Sequence, residues 1–247
     1  MKNCLRTLAV GLSLLWCAPR AEADLTHWLV TEWGSVYHDF QKVAGKEYKE
    51  PQQIAGTADH YYVSTRDGSV YRDGVKIENQ IHKDENVMDL DAWGDDYYML
   101  TLQAGLYKNG KVIMEPDKID RPRAMVVNGS DIWIINDAGK LYKNGEKVGE
   151  YFLKGYYPDH FAVAGSDVWS SISAGTTGGH YIYKNQDEAN PETWIVRELA
   201  ASNGDFYIFS GMSIFKNFER IAKFEADKND TGHSDNPVDF HFVLPAR

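Results

Sequence analysis

Apolar and polar positions along this chain fall into short β-rich runs separated by clusters of turn residues. The pattern is clearest where Ala124-Met125-Val126-Val127 is followed by Asn128-Gly129-Ser130-Asp131 and then by Ile132-Trp133-Ile134-Ile135. After Asn136-Asp137-Ala138-Gly139 come Lys140-Leu141-Tyr142-Lys143, the turn Asn144-Gly145, and Glu146-Lys147-Val148. Runs of this length, bounded by turn chemistry, predict four antiparallel strands.

The unit recurs. An aliphatic residue, an aromatic, a cation or histidine, and Asn or Asp follow one another in six places. The copies are Val36-Tyr37-His38-Asp39, Val70-Tyr71-Arg72-Asp73, Leu106-Tyr107-Lys108-Asn109, Leu141-Tyr142-Lys143-Asn144, Ile182-Tyr183-Lys184-Asn185 and Ile214-Phe215-Lys216-Asn217. Their aromatics are spaced by 34, 36, 35, 41 and 32 residues, a period that means a solenoid, a propeller or an array. Burial of six rings makes this column core.

Asp73-Gly74, Asn109-Gly110 and Asn144-Gly145 predict two-residue type I′ turns, because both central residues need positive φ. Asn185-Gln186 and Asn217-Phe218 lack the glycine, so their turns are expected to be strained or longer. A second column, Asp96, Asp131 and Asp205, stands ten or eleven residues before the repeat aromatic; Asp59 stands twelve before, and Asp167, in the longest copy, sixteen. These aspartates are expected to accept backbone N–H bonds in the turn between the first and second strands.

The two ends decide between a line and a ring. Ahead of Tyr37 there is room only for a second strand, Thr26 to Thr31, so the first copy lacks its innermost strand. Val238-Asp239-Phe240-His241-Phe242-Val243 is a strand with no copy after it. A missing strand at one end and a spare one at the other predict closure, hence an all-β fold, a six-bladed β-propeller closed by a C-terminal strand joining the N-terminal blade. An open solenoid would instead need polar capping repeats.

The runs Gly129-Ser130-Asp131-Ile132-Trp133 and Gly165-Ser166-Asp167-Val168-Trp169, with Tyr107-Lys108-Asn109-Gly110 and Tyr142-Lys143-Asn144-Gly145, resemble the repeat of exported bacterial β-propeller proteins. In that group a valine-rich strand is followed by Gly-x-Asp and then by an aromatic-Lys-Asn-Gly turn. The resemblance spans nearly all of the chain after residue 23. It implies export, a bacterial source and a propeller, and implies no reaction, since the group is mostly of unassigned function.

Residues 1–23 have the form of a signal peptide: Lys2 and Arg6 precede the apolar run Leu8 to Ala18, and Ala21-Glu22-Ala23 is a small-x-small cleavage site. Cleavage would leave residues 24–247 as a single propeller domain, periplasmic or secreted. Both cysteines, Cys4 and Cys17, lie in the removable part, so neither thiol nor disulfide would remain. The remaining 23 basic and 35 acidic residues disfavour nucleic acid and anionic lipid. No later apolar stretch approaches the roughly 20 residues of a membrane span. Oligomeric state is not legible.

Propeller ligands usually meet the face that carries the loops entering each innermost strand. Counting seven or eight residues back from each column aspartate gives the expected channel mouth: Gln52, Asp89, Arg123, His160, Arg197 and Glu198, with Asp239 and His241 from the closing strand. The loop from Ser173 to His180 makes the fifth copy the longest, and inserted loops carry function; no Gly-Lys-Ser/Thr follows it, which argues against a phosphate cradle. Trp33, Tyr156 and Tyr157 are aromatics placed on loops of the same face, where rings can stack on sugars or a partner chain or pack between blades.

Chemical signatures are sparse. The histidines at 27, 38, 60, 82, 160, 180, 233 and 241 form no close ligand set, which excludes a spacing-coded zinc site. Asp227-Lys228-Asn229-Asp230-Thr231-Gly232 begins like a calcium loop but has Val238 where a bidentate Glu belongs. A Gly-x-Ser-x-Gly elbow is absent, as is the sialidase-type Ser-x-Asp-x-Gly-x-Thr-Trp box. The expectation is therefore a non-enzymatic binding module for a protein or glycan partner, without cofactor. The alternative is a hydrolase or lyase using channel-mouth carboxylates and His160 or His241, with a divalent cation as its one candidate cofactor. A purely structural part of an envelope assembly is the third possibility.

Overall fold

The computed structural model describes residues 25–43, 48–77, 87–103, 105–116, 118–151, 158–173, 179–202, 204–226 and 235–243. The expected signal peptide, Tyr156 and Tyr157, the calcium-like loop and the middle of the loop after Ser173 lie outside these residues. Six four-stranded antiparallel sheets form the blades of a β-propeller. No helix among the described residues is long and apolar enough to cross a membrane.

The ring closes as the chain ends predict. The strand Pro237–Val243 lies innermost in blade 1, antiparallel to Thr26–Thr31, with Trp28 opposite His241 and Leu29 opposite Phe240. Buried Asp235 secures the seam: it accepts hydrogen bonds from Thr31 Oγ1 at 2.6 Å and from the Trp33 N–H at 2.9 Å. Burial there is dense, since the Phe240 ring stacks on Phe209 at 4.0 Å and on His27 at 5.1 Å.

Strand alternation sends successive side chains to opposite neighbours. In each repeat motif the aliphatic residue packs toward the following blade and the aromatic toward the preceding one, as Leu141 and Tyr142 do. Among the described residues six apolar clusters result, one at each blade junction. The aliphatic column is buried in all six copies; of the rings, Tyr37, Tyr107 and Tyr183 are buried, while Tyr71, Tyr142 and Phe215 keep an exposed edge. The core column is thus the residue before the ring. At the junction of blades 1 and 2 contact is so close that a Cβ on Gly56 would lie 2.1 Å from Trp28 Cδ1.

The turns between third and fourth strands all have two residues with positive φ, from Asn109 and Gly110 at 50° and 74° to Asn185 and Gln186 at 49° and 78°. The copies without glycine therefore keep the short turn and carry the strain, about 1–2 kcal/mol per left-handed residue. Phe218 at φ 70° is compensated by its contact with the Phe206 ring at 4.7 Å.

The aspartate column has a different partner from the one its position predicts. Asp96 Oδ1 accepts from Asn109 Nδ2 at 2.6 Å and its Oδ2 pairs with Lys108 Nζ at 2.7 Å. The side-chain Oδ1 of Asn109 in turn accepts the Tyr97 N–H at 3.1 Å. Asp131, Asp167 and Asp205 repeat this lattice with Lys143 and Asn144, Lys184 and Asn185, and Lys216 and Asn217. The side chains of the third strand reach the aspartate because the two strands are paired there, so they replace the turn amides. In blade 2 the column position belongs to His60, whose Nδ1 is 2.7 Å from Asp73 Oδ2, and Asp59 is an exposed loop residue. The carboxylate of the pair stands in the turn, where the other copies have Asn, and an imidazole stands in the column.

Candidate functional site

The inner strand of each blade is an edge strand whose alternate N–H groups have no partner in their own sheet, and such groups need one when buried. The inner strands are Pro51–Gly56, Val87–Trp93, Pro122–Asn128, Pro158–Ala164, Val196–Ser202 and, in blade 1, Pro237–Val243. Together they enclose a central channel of about 610 Å³. A register shift near the start of each marks a β-bulge: Pro51/Gln53, Val87/Asp89, Pro122/Ala124, Pro158/His160 and Val196/Glu198, with blade 1 shifting between Val30 and Thr31 opposite Pro237.

The residue just after the bulge faces the channel in every blade: Gln53, Asp89, Ala124, His160, Glu198 and Asp239. The structure thus places Asp89, His160 and Glu198, found by counting, and Asp239, from the closing strand, on the channel wall. Gln52 is exposed and off the wall, with Gln53 in its place, because His60 rather than Asp59 occupies the column and the offset of seven leads to Gln53. Arg197 sits in the bulge, exposed, and its Nη1 donates to the Pro237 carbonyl at 3.1 Å. Arg123 is also a bulge residue but lines the channel mouth. His241 lines the channel two residues farther in than Asp239.

Most of these polar groups cap backbone of the next blade. Asp239 Oδ2 accepts the Ile54 N–H at 2.7 Å, and Asp89 Oδ2 accepts the Met125 N–H at 2.5 Å. Asp91, which the spacing argument missed although it lies two residues beyond Asp89 on the same face, accepts the Val127 N–H at 2.6 Å. The second oxygens of Asp89 and Asp91 accept the Leu90 and Ala92 N–H groups. Gln53 Nε2 donates to the Met88 carbonyl at 2.5 Å.

At the upper mouth a chain of ion pairs crosses from blade 4 to blade 5. Arg123 lies 3.2 Å from Asp137 and 3.0 Å from Asp159, and Asp159 lies 3.1 Å from Nε2 of His180. Asp159 was missed by the spacing argument because it too occupies a bulge. His160 and Glu198 stand apart from these arrangements. His160 Nδ1 is 4.0 Å from Glu198 Oε2, and neither side chain caps a neighbouring blade among the described residues.

Enclosure sets the electrostatics. Burial raises Asp91 and Asp239 to about 7, and raises Asp89 well above the usual carboxylate range. Glu198 is raised by burial and then by repulsion from Asp239 and Asp89. Burial lowers His160 and His241 to about 4. The channel thus favours neutral forms of both acids and bases. Asp159 is the exception: burial would raise it, but its hydrogen bond to His180 and the charges of His180 and Arg123 bring it below the ordinary value. Among the described residues no three His, Cys, Asp or Glu side chains are disposed to hold a metal ion.

No family model matches the chain, and no curated protein matches it in sequence. Solved propellers resemble it in fold. A chain from a nidogen–laminin complex aligns with a TM-score of 0.56 at 11% identity, over 89% of this chain and 98% of that one. YCF48 from Cyanidioschyzon merolae gives 0.54 at 10%, over 86% and 89%. BamB from Moraxella catarrhalis gives 0.50 at 10%, over 93% and 94%. At these identities the likeness is one of architecture: the protein is a six-bladed β-propeller.

Proposed function

We propose that this propeller is an exported binding module that holds a protein partner on the face bearing the connections between blades. The observation that carries the proposal is the distribution of exposed apolar side chains. Among the described residues Trp33, Leu102 and Ile195 are 38, 50 and 60% exposed. All three lie on loops of the upper face, Trp33 and Leu102 between second and third strands and Ile195 between blades 5 and 6. The other large exposed apolar residues, such as Val112 and Ile221, belong to outer strands at the rim. Exposed aromatic and aliphatic residues on the loops of a rigid scaffold are the usual material of a protein interface.

Two further points support this over catalysis. Asp89, Asp91 and Asp239 are engaged in capping backbone, and the lower-face aspartates are paired with lysine and asparagine. A propeller of similar fold has been solved in a nidogen–laminin complex. Export rests on the N-terminal pattern of residues 1–23, and the chain recovered outside the cytoplasm should begin at Asp24.

The test places a photo-crosslinking residue at 33, 102 or 195 and, as a control, at 130 on the lower face, in cells that make the protein. The expected result is one partner cross-linked from the upper positions and not from 130, and its loss in the Trp33→Ser, Leu102→Ser, Ile195→Ser triple variant. Cross-linking at 130 alone, or capture unchanged in the triple variant, would overturn the assignment.

A further inference from the structure

We propose that the channel is also a small-ligand site, which binds a neutral polyhydroxy compound, a sugar or polyol, against His160 and Glu198 between blades 5 and 6. The inference is independent of the partner-binding face.

Asymmetry of the channel wall is the starting point. In blades 1, 2 and 3 the side chains after the bulge, Asp239, Gln53 and Asp89, each bond to backbone of the following blade. Asp91 adds a second such bond one layer deeper. Those polar atoms are committed to holding the ring together. In blade 4 the equivalent residue is Ala124, which has nothing to offer the edge of blade 5. His160 and Glu198 occupy the position in blades 5 and 6, and among the described residues Glu198 accepts only the N–H of its own neighbour, Leu199.

Both side chains remain available. Their side chains keep 29 and 28% of their surface, and since both line the cavity, that surface is offered to whatever enters the channel. The volume of about 610 Å³ lies within the roughly 300–1,000 Å³ typical of small-molecule sites. Arg123 and Asp159 also border the cavity but are tied to each other at 3.0 Å. The floor beneath the pair is small and apolar, with Ala162 and Ala200, so there is room beside it.

The chemistry of the pair selects the ligand class. A neutral imidazole offers one donor and one acceptor, and a protonated carboxyl does the same. Burial holds both groups in those neutral forms, reinforced for Glu198 by Asp239 and Asp89 and for His160 by His180. A hydroxyl group is likewise donor and acceptor at once, so vicinal hydroxyls 4 Å apart or less can bridge the two side chains.

The test titrates the intact protein with glucose, N-acetylglucosamine, myo-inositol and glycerol at pH 5.5 and 7.5, following histidine ring protons by NMR. Saturable binding of at least one compound is expected, with the His160 signal moving and that of His38, outside the channel, unchanged. Glu198→Gln retains a donor and an acceptor and should bind within about threefold of the parent. The Glu198→Ala, His160→Ala double variant should lose at least tenfold, about 1.4 kcal/mol, and Asp131→Asn, on the lower face and outside the cavity lining, should lose nothing. Absence of saturation by all four compounds in the parent protein would overturn the proposal. So would undiminished binding by the double variant, or selective binding of trimethylammonium that strengthens from pH 5.5 to 7.5, which would mark the channel as a cation site. The photo-cross-linking yield at position 33 reads the partner face separately, so either proposal can fail without the other.

Discussion

Two sets of acidic residues recur through the blades, and the ring treats them in opposite ways. On the lower face Asp96, Asp167 and Asp205 are held below the usual carboxylate range, chiefly by side-chain hydrogen bonds from the lysine and asparagine of the third strand. In the channel Asp89, Asp91, Glu198 and Asp239 are raised by burial. The first set is formed within one sheet, from residues of one repeat. In the second, Asp89, Asp91 and Asp239 bond across blades, to N–H groups left open by an inner edge, while Glu198 does not. Repetition of a residue type therefore says little about its electrostatics; the surroundings that other blades supply decide it.

Removal of a channel carboxylate is the harshest way to probe this contrast. Asp91→Ala leaves the Val127 and Ala92 N–H groups without their acceptor inside the ring and should cost about 3 kcal/mol. Urea denaturation at pH 7 in low and high salt measures it, and the loss should be insensitive to salt. A salt-sensitive loss would place Asp91 with the surface set.

Titration separates the sets by sign. Asp91 and Asp239 have folded values near 7, above the unfolded 3.8. Their contribution to stability is full below about pH 4 and is lost as pH rises toward 7. His160 and His241, lowered from 6.5 to about 4, act in the other direction: their contribution is present above pH 6.5 and is lost as pH falls toward 4. The two nearly overlapping windows oppose each other in the parent protein. In an Asp91→Asn, Asp239→Asn variant only Asp89 and Glu198 still oppose the histidines, so the melting temperature should fall more steeply on acidification from pH 6.5 to 4 than it does in the parent. An unchanged slope would show that the channel carboxylates ionise normally.

The smallest effect belongs to the lower face. Asp205→Ala breaks the pair with Lys216 at 3.0 Å and the bond from Asn217 at 2.7 Å, and should cost under about 1 kcal/mol at low salt. The cost should shrink as ionic strength rises. A loss as large as that of Asp91→Ala would erase the distinction.

Much of the architecture was legible because it is local and repeated. Alternation, Asn-Gly turns and the mismatch of the two ends suffice for the propeller and for its closure by Pro237–Val243. The channel was legible only in part. His160, Glu198 and Asp89 follow from a constant offset and Asp239 from the closing strand, but the offset points to Gln52 instead of Gln53 because blade 2 has His60 in the column and Asp59 beside it imitates the missing aspartate. Arg197 misled because a bulge adds one residue and turns its side chain outward. Asp91 carried a readable signal, its place two residues beyond Asp89 on one strand face.

By itself the amino-acid sequence determined the strands, their turns, the six-fold count and the pairing of tail with head, since each follows from side-chain period and turn conformation within about 40 residues, or from what is left unpaired at the ends. Tertiary structure alone decided which polar side chains are spent on capping a neighbour and which, at His160 and Glu198, stay open to the channel. That choice depends on distances between residues of adjacent blades, some 35 positions apart in the chain, and on the low-dielectric enclosure that only the closed ring creates.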